Sequence, residues 1–160
     1  MRPDDLILGL GNPVLRDDGV GLLAARRVKG LVGRDVDLRE ECVSSIDLLS
    51  VVSRYRRVVV VDGYLSAEDP PGTRIQATPD DLPPGFCYRS LHMLSFREMV
   101  ELGERLGYPM PTIRIHGICV EDPWTFGCTF TPAVEEAWRA WADDIARIEF
   151  TSTPVGRPRT

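Results

Sequence analysis

Two aspartates and a histidine, Asp18, Asp62 and His92, are the residues of this chain best suited to chemistry. One imidazole and two carboxylates form an N/O donor set for nickel, zinc or another divalent first-row ion, with geometry deciding among them. Three protein ligands would leave coordination positions open for water or a substrate group. The two carboxylates can also serve as a proton-transfer pair. Plainer roles compete with these. Acidic residues in a first helical turn gain about 0.3–1 kcal/mol from the macrodipole, which is account enough for Asp17. Asp62 closes a run of four valines, where a carboxylate is costly unless partnered. The other histidine, His116, falls inside a predicted strand and reads as a packed or edge residue.

The elements that must carry these residues follow from the hydrophobic pattern. Residues 6–10 form a short apolar run ending at Gly9-Leu10-Gly11, consistent with a strand buried on both faces. A turn through Asn12 and Pro13 leads to Asp17, which reads as an N-cap and puts Asp18 in the first turn of a helix to about residue 31. Residues 36–43 read as a more polar strand nearer an edge, and 46–53 as a short helix. Residues 58–61 are the central strand, closed by Asp62-Gly63. A strand at 73–77, a Pro-rich loop at 79–85, a helix from Ser90 to about residue 106 and a strand at 112–120 follow. Residues 121–129 read as an irregular loop. Thr131, followed by Pro132, is placed to cap a last helix with the stripe Val134, Ala137, Trp138, Trp141, Ile145.

This alternation predicts an α/β fold, a mostly parallel twisted central sheet with helices on both faces. Residues 1–150 make one domain, and 151–160, with Pro154, Gly156 and Pro158, a loose tail. Ligands of such sheets sit beyond the carboxyl ends of strands, where the strand order reverses. Parallel strands would bring Asp18 and Asp62 to that one edge, and His92, in a first helical turn, is within reach of it.

Composition narrows the classes. A net charge of −5 disfavours nucleic acid, which wants a basic surface. No apolar run approaches the roughly 18 residues of a membrane span, and the start of the chain lacks a signal peptide's build, so the expectation is a cytoplasmic protein without a membrane partner. Cys42, Cys87, Cys119 and Cys128 form no C-x-x-C pair and read as reduced thiols. Nucleotide is not expected: the turn lacks the third glycine of G-x-G-x-x-G, and Pro13 removes an N–H from the phosphate cradle. H-E-x-x-H, G-x-S-x-G and D-T-G signatures are absent.

Four blocks in order, Gly-Leu-Gly-Asn-Pro…Asp-Asp-Gly-Val-Gly (9–21), Val-Val-Val-Val-Asp (58–62), Ser-Leu-His-Met-Leu-Ser (90–95), and Gly117-Ile118 with Glu121 leading to Phe130-Thr131-Pro132-Ala133-Val134, resemble the hydrogenase maturation proteases. These are endopeptidases that trim a C-terminal extension from the large subunit of nickel–iron hydrogenases. The resemblance is collinear over residues 5–147. It implies that Asp18, Asp62 and His92 are ligands for nickel carried by the substrate; zinc or cadmium could occupy the site in vitro. Asp18 and Asp62 are the expected catalytic residues, either with a metal ion that polarises the scissile carbonyl and activates water or as an acid–base pair with nickel only recognised. The resemblance also implies a hydrogenase large-subunit precursor as partner, met by Asn12, Ser44 and Ser45. Two departures stand out: Val43-Ser44-Ser45 replaces the family's Gly-rich turn with a Thr, and Val120-Glu121 replaces its Pro-Glu. A chaperone that binds the nickel-loaded subunit without cutting it is the alternative. Gly-Leu-Gly-Asn-Pro also opens peptidyl-tRNA hydrolases, but these need a histidine soon after that turn, and none precedes His92 here.

Overall fold

The structure is a computed structural model that describes residues 4–42, 47–82 and 96–151. The first strand, β1 (Asp5–Leu10), is buried from Leu6 onward. A short 3-10 turn, Arg16–Gly19, leads directly into α1 (Val20–Val32). Next come β2 (Val36–Glu41), α2 (Asp47–Val52) and β3 (Arg57–Tyr64). The chain continues through β4 (Arg74–Ala77), a 3-10 turn at Pro79–Asp81, α3 (Phe96–Arg105), β5 (Thr112–Cys119) and α4 (Pro132–Phe150).

The five strands are ordered β2-β1-β3-β5-β4. All neighbours are parallel except β4, which runs antiparallel to β5 along one edge. The polar strand β2 lies at the other edge, as its composition predicts. The sheet is thus mostly parallel, and its two faces carry separate apolar layers. One holds Ile7, Val59, Val61 and Ile118 against α1 and α4, with Val20, Val28, Val134, Trp141 and Ile145 buried there. The other holds Leu8, Val58, Val60 and Ile115 against α2 and α3, through Leu48, Leu49, Val52 and Met99. The predicted stripe of α4 is the stripe that packs: Val134, Trp138, Trp141 and Ile145 are all buried.

Chain direction reverses its progress across the sheet between β1 and β3. From β1 the chain goes one way to β2, then returns past β1 to β3, so the crevice between the carboxyl ends of β1 and β3 is the switch point. The start of α1 closes on this crevice because glycines let backbones touch. A Cβ on Gly21 would lie 2.2 Å from the Leu10 carbonyl, 2.7 Å from that of Val61 and 3.1 Å from the Asp62 Cα. One on Gly9 would lie 2.8 Å from the Ala25 Cβ.

Several element ends differ from expectation by a few residues, and two of the differences bear on the site. β3 does not stop at Asp62 but runs on through Gly63 and Tyr64, because β5 extends far enough to pair with them: Asp62 faces Gly117, and Tyr64 faces Cys119. And Asp17 is not an N-cap. The residue before α1 is Gly19, and Asp17 lies inside the preceding 3-10 turn with its carboxylate committed elsewhere.

Candidate active site

The turn after β1 is built to hold Asp18. The Asn12 N–H donates both to the Asp18 carboxylate, 3.0 Å to Oδ2, and to the Asp18 carbonyl, 3.2 Å. Gly11 makes this approach possible, since a Cβ there would lie 2.0 Å from the Asp18 carbonyl oxygen. Asn12 also accepts from the Val14 N–H through Oδ1, at 3.1 Å, which tightens the turn. Asp18 is 3% exposed. Asp62, on the neighbouring strand and one residue beyond the Gly9–Val61 pair, is 8% exposed. Both carboxylates therefore belong to the carboxyl edge at the switch point, with Gly21 of α1 between the end of β1 and the Asp62 backbone. Burying two acids at one sheet edge is expensive, and such an expense is typical of sites that do chemistry.

Asp17 does different work from its neighbour. Its carboxylate is fully buried and accepts four hydrogen bonds from the far end of the chain. Oδ2 takes the Glu121 N–H at 3.0 Å, the Asp122 N–H at 2.9 Å and the Thr131 hydroxyl at 2.7 Å, while Oδ1 takes the Thr131 N–H at 2.7 Å. Thr131 does sit at the N-cap position of α4, but its hydroxyl serves Asp17 and not the helix. One residue thus ties the loop after β5 and the start of α4 to the turn that carries Asp18.

That loop is ordered as a short strap along residues 14–17. Arg16 N–H donates to the Thr125 carbonyl, Asp17 N–H to that of Asp122, and Gly127 N–H to that of Val14. Leu15 and Phe126 form an antiparallel bridge. Asp122 accepts from the N–H groups of Trp124 and Thr125 and pairs with Arg16 at 3.4 Å. Its hydrogen bonds from Thr125, then that from Trp124, with the Arg16 charge, hold its carboxyl below the ordinary carboxylate range. The region expected as an irregular loop is therefore a braced one, and this was invisible to local sequence reading because its partners lie over a hundred residues away.

Of the other expected site residues, Asn12 is in the turn described above. His92, Ser44 and Ser45 lie outside the described residues. Among the described residues no group of three or more His, Cys, Asp or Glu side chains is arranged to hold a metal ion. His116 is not a candidate: it is buried beside α4, with Nε2 2.7 Å from Glu149 Oε1. That hydrogen bond is the main reason the Glu149 carboxyl is held low. Arg57 secures the same end of α4, binding Asp5 through two nitrogens and the Glu149 carbonyl through a third.

Comparison with known proteins bears on this geometry. Residues 35–148 match the HycI family of hydrogenase maturation proteases. The chain is 30% identical over 139 residues to the hydrogenase expression/formation protein HupD of Thiocapsa roseopersicina, an alignment covering 84% of this chain. It spans only 62% of the length of that relative. In structure it is similar to the [NiFe] hydrogenase maturation protease HycI from Thermococcus kodakarensis, with a TM-score of 0.66 and 26% identity over 92% of each chain. The hydrogenase maturating endopeptidase HybD from E. coli shares the fold, with a TM-score of 0.73 and 20% identity over 89% of each chain.

Proposed function

The chain belongs to the hydrogenase maturation protease family, and from that premise we propose that it is an endopeptidase removing the C-terminal extension of a nickel-loaded hydrogenase large-subunit precursor. The observation that carries this reading is the placement of two buried carboxylates, Asp18 and Asp62, at the carboxyl edge of adjacent parallel strands where the sheet order reverses. Asp18 is oriented by the Asn12 N–H, and Asp62 is fixed by its place within β3. Pre-set carboxylates of this kind suit a hard or borderline divalent ion presented by the substrate, and His92 is the third donor.

In this reading nickel is the substrate's cargo. Asp18, Asp62 and His92 recognise it and so bring the scissile bond to the switch-point crevice; zinc or cadmium can replace it in vitro. One carboxylate of the pair takes the proton of the attacking water as its oxygen bonds to the scissile carbonyl carbon. The same proton then passes to the departing amide nitrogen as the C–N bond breaks. Asn12, Ser44 and Ser45 are the residues that bind the substrate chain. The reading includes neither nucleotide nor nucleic acid. No helix among the described residues is long and apolar enough to cross a membrane, and we place the reaction in the cytoplasm.

The test is cleavage of purified precursor with and without nickel, using wild type, Asp18→Asn, Asp62→Asn and His92→Ala. Nickel-dependent shortening of the precursor by wild type, lost in each variant, is the expected result. Binding of the nickel-loaded precursor without shortening would instead favour the non-catalytic chaperone.

A further inference from the structure

We propose that the strap at residues 122–127, which exposes Trp124 and Phe126, is the element by which this protein grips the folded body of its polypeptide substrate, apart from the segment it cuts. This rests on the endopeptidase reading and deepens it. Phe126 is 81% exposed and Trp124 53%. The two aromatic residues stand two positions apart on a stretch held beside residues 14–16 by the hydrogen bonds between Val14 and Gly127 and between Arg16 and Thr125, with Phe126 paired to Leu15 across the bridge.

Scattered surface hydrophobes need no explanation, but two exposed aromatic residues on one braced strap do. Here the mount is unusually well secured. Asp17 holds its root through the N–H groups of Glu121, Asp122 and Thr131, and Asp122 closes the turn under Trp124 and Thr125. Arg16 also reaches the Thr129 carbonyl, at 3.1 Å. Such bracing could have served to fold the aromatic rings inward, yet it holds them in solvent. Aromatic side chains on a pre-ordered backbone lose little entropy on binding and are the usual energetic anchors of interfaces.

The position of the patch selects its occupant. The strap springs from the end of β5, where the Val120 N–H binds the Tyr64 carbonyl of β3, two residues beyond Asp62. It is fastened to the turn bearing Asp18. A molecule seated on Trp124 and Phe126 therefore lies alongside the same sheet edge that meets the scissile bond. A second copy of this chain on that face would crowd the edge and bring together two molecules of net charge −5. The one ion pair of the strap, Arg16–Asp122, is internally neutral, and the exposed Glu121 flanks it. The partner surface that fits is an apolar hollow with a basic rim, on the large-subunit precursor.

The experiment uses the full chain, labelled with 5-fluorotryptophan, and the nickel-loaded precursor. Three fluorine signals are expected, since Trp138 and Trp141 are buried in the α4 layer while Trp124 is exposed. Adding precursor should shift the Trp124 signal, assigned with Trp124→Phe, and leave the other two. The double variant Trp124→Ser/Phe126→Ser should bind precursor at least about tenfold more weakly, the scale of losing a hot-spot side chain, and the loss in cleavage should fall on KM. Trp124→Phe, keeping an aromatic ring, should restore most of the affinity relative to Trp124→Ser. Leu106→Ser, at another exposed apolar position just past α3, is the surface control and should bind as wild type does. A double variant that melts with wild type yet binds precursor equally well overturns the proposal, as does a Trp124 signal that moves only with protein concentration, which would make the patch a self-association face. If wild type itself neither binds nor cuts the precursor, it is the endopeptidase reading that fails.

Discussion

Replacing Asp17 by alanine removes one buried carboxylate and strands four donors at once. Two of them, the N–H and hydroxyl of Thr131, belong to a residue only 5% exposed and have no ready access to water. Each such donor left unsatisfied costs about 1–3 kcal/mol. The other two, from Glu121 and Asp122, lie at the surface side of the loop and can be rehydrated. Removing the charge also returns the cost of having buried it, which offsets part of the loss. The balance is a destabilisation of roughly 3 kcal/mol, in the upper range for single substitutions. For a chain of 160 residues that lowers Tm by about 6–12 °C. Calorimetric or circular-dichroism melts measure it, and amide exchange at 121, 122 and 131 should accelerate well before exchange in β1 or β3. Asp18→Asn, one residue on, should shift Tm by only a few degrees while abolishing cleavage. If Asp17→Ala melts within about 2 °C of wild type, a shift worth no more than about 1 kcal/mol, the strap does not depend on Asp17. The division between a bracing and a reacting aspartate would then be wrong.

Further outcomes follow from other contacts. Asp62→Asn should keep the wild-type far-UV spectrum and lose both cleavage and nickel-dependent binding of precursor, which titration against loaded and nickel-free precursor would measure. Gly21→Ala should be destabilising by about 1–3 kcal/mol, the usual cost of overpacking, because its Cβ would press on the Leu10 and Val61 carbonyls; denaturant melts read this directly. Glu149 has a folded-state pKa below its ordinary value near 4.5, chiefly through the His116 hydrogen bond. Its contribution is therefore complete above about that value and is lost as pH falls through the lower folded one. Stability measured across the acid range should fall less steeply in Glu149→Gln than in wild type.

Much of the architecture was legible because it rests on patterns of short range. Four consecutive valines and the run before Gly9, each short and closed by turn residues, read as inner strands, and the α4 stripe repeats at helical spacing. Parallel neighbours share a carboxyl edge, so the common location of Asp18 and Asp62 follows from strand direction alone. Even the antiparallel β4 is consistent with the short link from β3, which leaves no room for a crossover helix. The glycines at 9, 11 and 21 also mark, in the sequence, where backbones must touch.

The sequence by itself could not assign the two adjacent aspartates their different work. Asp17 has the local signature of an N-cap, and local reasoning has no access to donors that lie 104 to 114 residues further on. The same holds for the strap: Trp124 and Phe126 read as residues of an irregular loop until the backbone of 14–17 is laid beside them. The end of β3 was likewise decided by its neighbour, because a strand runs on for as long as a partner satisfies its N–H and C=O groups, and β5 does so through Tyr64. Periodicity and composition determine which segments become strands and helices, since those are properties of nearby residues. Which buried polar group meets which donor is a property of the assembled sheet edge, and only tertiary structure sets it.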